Sequence, residues 1–348
     1  MKLKASVVVL GYGKEAHLES CLDALAAELQ EDDELLLVDN GIEDADLRQA
    51  SWPACVKVIG DGTNLGFAGG CNYGVSGATG DVLVLVNSDA IVRRGSVKKL
   101  AATAAEPGIG LVGGCLRLAD EPDRVNSAGN PLHFLGVTWA GACGELAAAH
   151  MERKDVAVAT GGFLAIRREV WEELGGFDPV YFAYHEDADL SLRCWLSGQR
   201  VTFEPEAVAD HHYDFSRNAL KMYLVERNRL VTVLTDYPRS LLVAILPILL
   251  LLEPVFLVVA IAQGWPVQKL RSWWWLITHT SLLRKRRRTV QSKVTIRSAD
   301  IAELMCSRLE PPMIKSPPGM GAINAVLAVY WSMVLRSLRR EDPAGGSD

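Results

Sequence analysis

Five short stretches of this 348-residue chain gather oxygen-rich side chains at points where it changes direction. Asp39-Asn40-Gly41 ends an apolar run, where a carboxylate can accept from a base N–H or a ribose hydroxyl, or simply close an Asx-type turn. Asn64-Leu65-Gly66-Phe67-Ala68-Gly69-Gly70-Cys71-Asn72 is a glycine-rich turn into a helix, able to lay backbone against a nucleotide or to pack closely. The aliphatic run VLVLV delivers Asn87-Ser88-Asp89, hard oxygen donors of the kind that hold Mg2+ or Mn2+ together with substrate phosphates, or that cap a helix. Tyr184-His185-Glu186-Asp187-Ala188-Asp189 sets three carboxylates within four residues at a helix start. Such crowding favours the helix dipole and also raises proton affinity, as a general base requires. Asp210-His211-His212 adds imidazoles without any zinc-type spacing.

The elements that must position these groups follow from apolar patterning. Continuous apolar runs at Ser6 to Leu10, Glu34 to Asp39, Cys55 to Ile59 and Asp81 to Val86 alternate with helical patterns at Glu15 to Leu29, Phe67 to Ala78 and Ser96 to Ala105. Short strands buried on both faces and separated by helices predict a mostly parallel α/β sheet, which binds ligands beyond its strand C-termini. Residues 1–120 therefore read as a nucleotide-binding half and 121–235 as an acceptor half. The latter has a strand near Val156 to Thr160 and helices near Arg167 to Leu174 and Glu186 to Ser197.

After the first strand, Gly11-Tyr12-Gly13-Lys14-Glu15-Ala16 fits the dinucleotide pattern G-x-G-x-x-A, with Asp39 near the distance of a ribose-binding acid. An NAD(P)-dependent oxidoreductase is thus one reading. The clusters at 64–72, 87–89 and 184–189 are what a sugar-nucleotide transferase needs and a dehydrogenase does not.

With 49% hydrophobic and 22% charged residues, the composition excludes a disordered chain and a multispanning membrane protein. The net charge of −6 conceals a split: residues 263–348 hold 14 Lys and Arg against 6 Asp and Glu, leaving 22 against 36 for residues 1–262. Seven cysteines without C-x-x-C spacing read as reduced thiols. Leu241 to Ala262 is an apolar segment of bilayer length interrupted by Pro247, Glu253 and Pro254, with basic residues on both flanks. The expectation is a helical membrane-associating region over 236–340 that meets an anionic membrane surface from the cytoplasmic face. It would be re-entrant with a turn at Glu253-Pro254, peripheral, or a single span, followed by a disordered tail at 341–348. The Arg284 to Arg288 run has no aromatic or motif support for nucleic acid.

In order, VDNG, NLGFAGGCN, VNSDA, GGFLAIRREVW, GGFDPVYFAYHEDADLSLR and HHYDFSRN resemble the family 2 glycosyltransferases, bacterial rhamnosyltransferase-like members above all, over residues 5–235. The resemblance implies a GT-A fold and inverting transfer from a dTDP- or UDP-sugar to a glycan or lipid-linked acceptor in cell-envelope synthesis, assisted by Mg2+ or Mn2+. It assigns Asp187, with Glu186, to catalysis, and Asp89 and His211, with His212 as neighbour, to the metal. It places Asp39, Asn40, Asn64, Gly66, Gly69, Gly70, Asn72, Asn87, Ser88 and Arg217 around the donor, and Gly161, Gly162 and Asp189 at the acceptor. Trp139, Trp171 and Phe182 are offered to stack a sugar. Asn87 stands where the family's D-x-D has its first aspartate. A non-catalytic, membrane-bound sugar-nucleotide-binding protein is the remaining alternative.

Overall fold

The computed structural model describes residues 3–44, 47, 52–213, 218–312 and 319–341. Contacts divide the chain into two units, one of residues 1–130, 140–194 and 199–215, the other of 131–139, 195–198 and 216–348. Residues 216–235, expected with the acceptor half, thus group with the C-terminal helices.

The first unit is built on strands β1 (Ala5–Gly13), β2 (Glu34–Ile42), β3 (Val56–Ile59), β4 (Val82–Asn87), β5 (Ala90–Val92), β6 (Ile109–Leu118), β7 (Glu121–Ser127), β8 (Lys154–Asp155), β9 (Phe163–Arg167) and β10 (Arg200–His211). Helices α1 (Leu18–Ala26), α2 (Gly66–Ser76), α3 (Ser96–Ala104), α4 (Arg168–Leu174) and α5 (Glu186–Leu196) accompany them. Strand order is β3-β2-β1-β4-β9-β6-β10-β5, with β7 on β6 and β8 on β10. Its first four strands are parallel, as the apolar runs required; β9 then enters antiparallel between β4 and β6, making the whole sheet mixed. The strand expected at Val156 to Thr160 lies instead at Phe163–Arg167, because FLAIR continues apolar after Gly161-Gly162 and pairs on both edges.

Val7, Val9, Leu35, Leu37, Val84 and Val86 meet Leu18, Leu22, Leu25 and Leu100 in one core cluster. Truncating such a fully buried leucine to alanine costs about 2–5 kcal/mol, so these faces fix strand register. Register places Asp39 beside Gly11 and Asn87 beside Leu10, setting both polar clusters at one rim. The dinucleotide reading fails here. β1 runs on through Gly11 and Gly13, and α1 opens only at Leu18, so no helix N-terminus follows the glycines to hold a pyrophosphate. Gly11 is needed for packing, since a Cβ there would lie 2.7 Å from Ile42.

In the second unit, α6 (Ala219–Asp236), α7 (Arg239–Ala262), α8 (Pro266–Thr278), α9 (Thr280–Gln291), α10 (Ser298–Glu303) and α11 (Met320–Glu341) follow one another. No turn forms at Glu253-Pro254: α7 is one continuous helix, which corrects the expected re-entrant hairpin. The charge needs no exposed turn because Glu253 Oε1 accepts from Arg229, and Oε2 from Lys269 Nζ at 2.8 Å and Trp273 Nε1 at 2.7 Å. Glu226 completes this buried network with Arg229 and Lys269. Arg239–Ala262 and Met320–Arg340 are both long and apolar enough to cross a bilayer, and only 22% and 28% of their most apolar windows are buried by the chain itself. They are candidate membrane-associating helices.

Candidate active site

Antiparallel pairing of β5 with β10 sets His211 opposite Ala90, next in sequence to Asp89. His211 Nε2 and Asp89 Oδ1 come within 3.1 Å, while Asn126 Oδ1 lies 2.9 Å from His211 Nδ1 and fixes the ring. His211, rather than His212, faces the carboxylate; the His212 N–H donates to the Asp89 carbonyl and its ring stacks on His17. Among the described residues no three His, Cys, Asp or Glu side chains converge on a cation position. Asp89 with His211 is therefore a half-set of an oxygen and a nitrogen ligand. A divalent ion fits it when phosphate oxygens supply the rest, with Asn126 as the outer partner that orients the imidazole. Nearby, the Asn87 Oδ1 is buried without a partner, and Ser88 hydrogen-bonds Glu15. Burial pushes the Glu15 carboxyl above its usual range. Sequence reading missed Glu15, which lay inside the dinucleotide-like pattern, and Asn126, for which no motif offered a signal.

Two glycines join this rim to the carboxylate cluster. The Asn87 N–H donates to the Gly162 carbonyl at 2.9 Å, and the Gly161 N–H donates to Asp187 Oδ2 at 3.1 Å. A Cβ on Gly162 would lie 2.9 Å from Leu116, and one on Gly161 3.3 Å from the Asp187 Cβ. Asp187 Oδ1 accepts from the Ala188 N–H at 2.8 Å, so two backbone donors fix the orientation of the carboxylate. Burial raises its proton affinity and these donors oppose the rise. Glu186 is buried more deeply. Burial first, and then the charges of Asp187 and Asp189, push its carboxyl well above the usual range.

The segment that presents this pair is strained. Phe182, Tyr184 and His185 all have positive φ, with Phe182 at φ 62° and ψ −62°, the centre of a γ-turn closed by the Ala183 N–H on the Tyr181 carbonyl at 2.7 Å. α2 restrains it from one side: the Ala68 N–H donates to the Phe182 carbonyl at 3.0 Å, and the Asn72 amide both donates to and accepts from the Phe177 backbone. Asn72 is thereby spent on the fold, a correction to its expected place at the donor. Asp189 is corrected likewise, for it is fully buried and paired with Arg193, out of reach of an acceptor. Gly66 (φ +73°) and Gly70 are explained by close approach, since added Cβ atoms would sit 2.4 Å from the Phe182 carbonyl and 2.4 Å from Leu10. Trp171 is also a core residue, edge-on to Phe177.

Of the remaining expected donor residues, Asp39 Oδ1 accepts from the Gly41 and Ile42 N–H groups. Buried Asn40 ties Leu65 and Asn64 to β2, and Gly69 lies half-buried on α2. Arg217 lies outside the described residues.

Two substitutions test this geometry. Gly66→Ala adds a clash with backbone and a disfavoured φ, and is expected to cost about 2–4 kcal/mol in urea unfolding. Glu186→Gln replaces a carboxyl whose folded-state affinity for a proton is raised. In the wild type that group costs stability as pH rises above about 4, where the unfolded chain ionises, until the folded carboxyl ionises as well. The variant is expected to flatten this fall between pH 4 and 7; an equally steep fall would show Glu186 ionised when folded.

A family model described as "Glycosyltransferase like family 2" matches residues 4–232, two-thirds of the chain and every site residue above. The chain belongs to the glycosyltransferase 2-like family. One relative is the N-acetylglucosaminyl-diphospho-decaprenol L-rhamnosyltransferase of Mycobacterium tuberculosis, 28% identical over 232 residues, 59% of this chain and 75% of the relative. Another is the O-antigen chain rhamnosyltransferase RfbN of Salmonella typhimurium, 24% identical over 221 residues, 62% and 68% of the two chains. The chain matches only 22% of the uncharacterized protein y4gI of Sinorhizobium fredii, at 28% identity. The fold is GT-A. It is shared with GalNAc-T7, solved with UDP, GalNAc and Mn2+ (TM-score 0.55, 17% identity, 68% of this chain and 48% of that one), and with S. aureus TarS (TM-score 0.52, 16% identity, 99% and 56%). Family membership gives the Asp89–His211 rim and the Glu186-Asp187 pair a common setting, while helices α7 to α11 lie beyond the matched residues.

Proposed function

We propose that this family 2 glycosyltransferase moves a sugar, L-rhamnose by analogy with its named relatives, from a dTDP- or UDP-linked donor to a lipid-linked or polysaccharide acceptor, with inversion. The observation that carries this reading is the Gly161-Gly162 bridge, which fastens Asp187 to the end of β4, two residues from Asp89. In this scheme Asp39 and Asn64 border the nucleotide. Asp187 takes the proton from the acceptor hydroxyl as its oxygen bonds to the anomeric carbon, whose bond to the diphosphate oxygen breaks. Asp89 and His211 would hold a divalent ion, Mg2+ or Mn2+, that neutralises charge on the departing diphosphate. Partial burial of Asp187 supports the base role, because dehydration raises the proton affinity of its carboxyl.

The test is transfer from dTDP-L-rhamnose and from UDP-sugars to a saccharide-diphosphate lipid, with the product's anomeric configuration read by NMR. An inverted glycoside is expected. A retained configuration, or donor hydrolysis without glycoside across the panel, would overturn the reading.

A further inference from the structure

Arg284, Arg287, Arg288 and Gln291 recur at positions i, i+3, i+4 and i+7 of α9, one face of that helix, and with Arg239 they line an open cavity of about 380 Å3. The opposite face, Leu283, Arg286 and Val290, is buried, and Arg286 is consumed there by Asp236 and Thr235. Elsewhere in this unit the fold matches its buried cations: Arg229 and Lys269 each meet two carboxylates. The cavity differs. No Asp or Glu lines it, and among the described residues Arg239, Arg284 and Arg288 make no ion pair. Arg287 donates to the Leu234 and Tyr237 carbonyls at 2.9 Å, which anchors the cluster to the α6–α7 junction. Four arginines thus line one cavity, mainly with their aliphatic stems, and the planar forks of Arg239, Arg284 and Arg288, at the ends of flexible side chains, suit phosphate oxygens.

What adjoins the cavity identifies the anion's carrier. Arg239 is the first residue of α7, and Val243, Leu246 and Leu250 follow it at i+4, i+7 and i+11, on one exposed stripe. Those 11 residues rise about 16 Å, the depth of one leaflet's hydrocarbon. We infer that the Arg239–Arg284–Arg288 cavity binds a lipid-borne phosphate group, whose hydrocarbon chain lies along the Val243–Leu246–Leu250 stripe of α7. This rests on the reading of α7 as a membrane-associating helix and adds to it a specific headgroup site.

Flotation of the full chain with three vesicle types tests it: phosphatidylcholine alone, phosphatidylcholine with phosphatidylglycerol, and phosphatidylcholine with a polyprenyl phosphate at matched surface charge. Arg284→Gln/Arg288→Gln is expected to lower affinity for anionic vesicles by roughly thirtyfold, at about 1 kcal/mol per arginine. Lys285→Gln/Lys293→Gln removes the same charge away from the cavity and is expected to lose no more than about a fifth of that factor. Whichever anionic lipid shows the larger arginine-dependent gain names the source of the phosphate. Equal losses in the two double variants, or none in either, would overturn the site while leaving membrane association standing. A wild-type chain that floats with no vesicle would overturn the membrane reading itself.

Discussion

Asp187→Asn is expected to lower the rate of sugar transfer by about 10²–10⁴-fold, the range contributed by a positioned general base, while leaving nucleoside diphosphate affinity within about twofold of wild type. The amide is isosteric, and its Oδ1 still accepts one of the Gly161 and Ala188 N–H groups; the other loses its acceptor, a local cost of about 1–3 kcal/mol that unfolding measures separately from transfer. What the amide loses is the capacity to take a proton. The wild-type pH profile offers a second check. Because burial raises the Asp187 carboxyl, transfer should fall as pH drops through a limb above the usual aspartate range near 4, where the base becomes protonated. Near-wild-type transfer by Asp187→Asn would move the base elsewhere, and a large loss of donor affinity would make Asp187 a binding residue.

That the rim was legible in the sequence follows from the strands. LLLV and VLVLV contain no polar interruption, so the polar residues that follow them, Asp39 and Asn87, had to fall at the C-terminal ends of parallel strands. Asn72 was illegible for the opposite reason. Its partner, the Phe177 backbone, is 105 residues away, and a polar residue in a glycine-rich turn looks the same whether it meets a nucleotide or a distant loop. Asp189 likewise reads as a third functional carboxylate until Arg193, one helical turn later, is seen to be buried against it. Asn126 and His211 sit on strands 85 residues apart, joined only by the sheet. Phe182, Tyr184 and His185 all have positive φ, Phe182 with its carbonyl held by the Ala68 N–H of α2, and no local pattern announces positive φ in aromatic residues. Glu253 shows the same limit. A charge and a proline in an apolar run suggest a turn, and only the tertiary partners Arg229 and Lys269 make an unbroken helix possible.

Asp89→Ala should be the second large loss, and it differs in kind from the first. Removing the carboxylate leaves His211 as a lone ligand, so nucleotide binding that requires Mn2+ should fall by tenfold or more on the scale of lost metal contacts, about 10–100-fold even for outer partners. Equilibrium binding of UDP, dTDP, GDP and NADH, each with and without Mn2+, separates the possibilities and identifies the base that the Asp39 rim accepts. Wild type should bind one diphosphonucleoside in a Mn2+-dependent manner, and Asp89→Ala should retain only the weak metal-independent part. Asn126→Ala should show an intermediate loss, since it frees the His211 ring without removing a ligand. Because the hydrogen bonds that join Asp187 to this rim among the described residues run through the backbone of Gly161 and Gly162, neither variant should alter the acid limb of the pH profile. Mn2+-independent nucleotide binding that survives Asp89→Ala would remove the metal from the scheme. NADH binding alone would restore the glycines of β1 as a cofactor site, against the absence of a helix at their end.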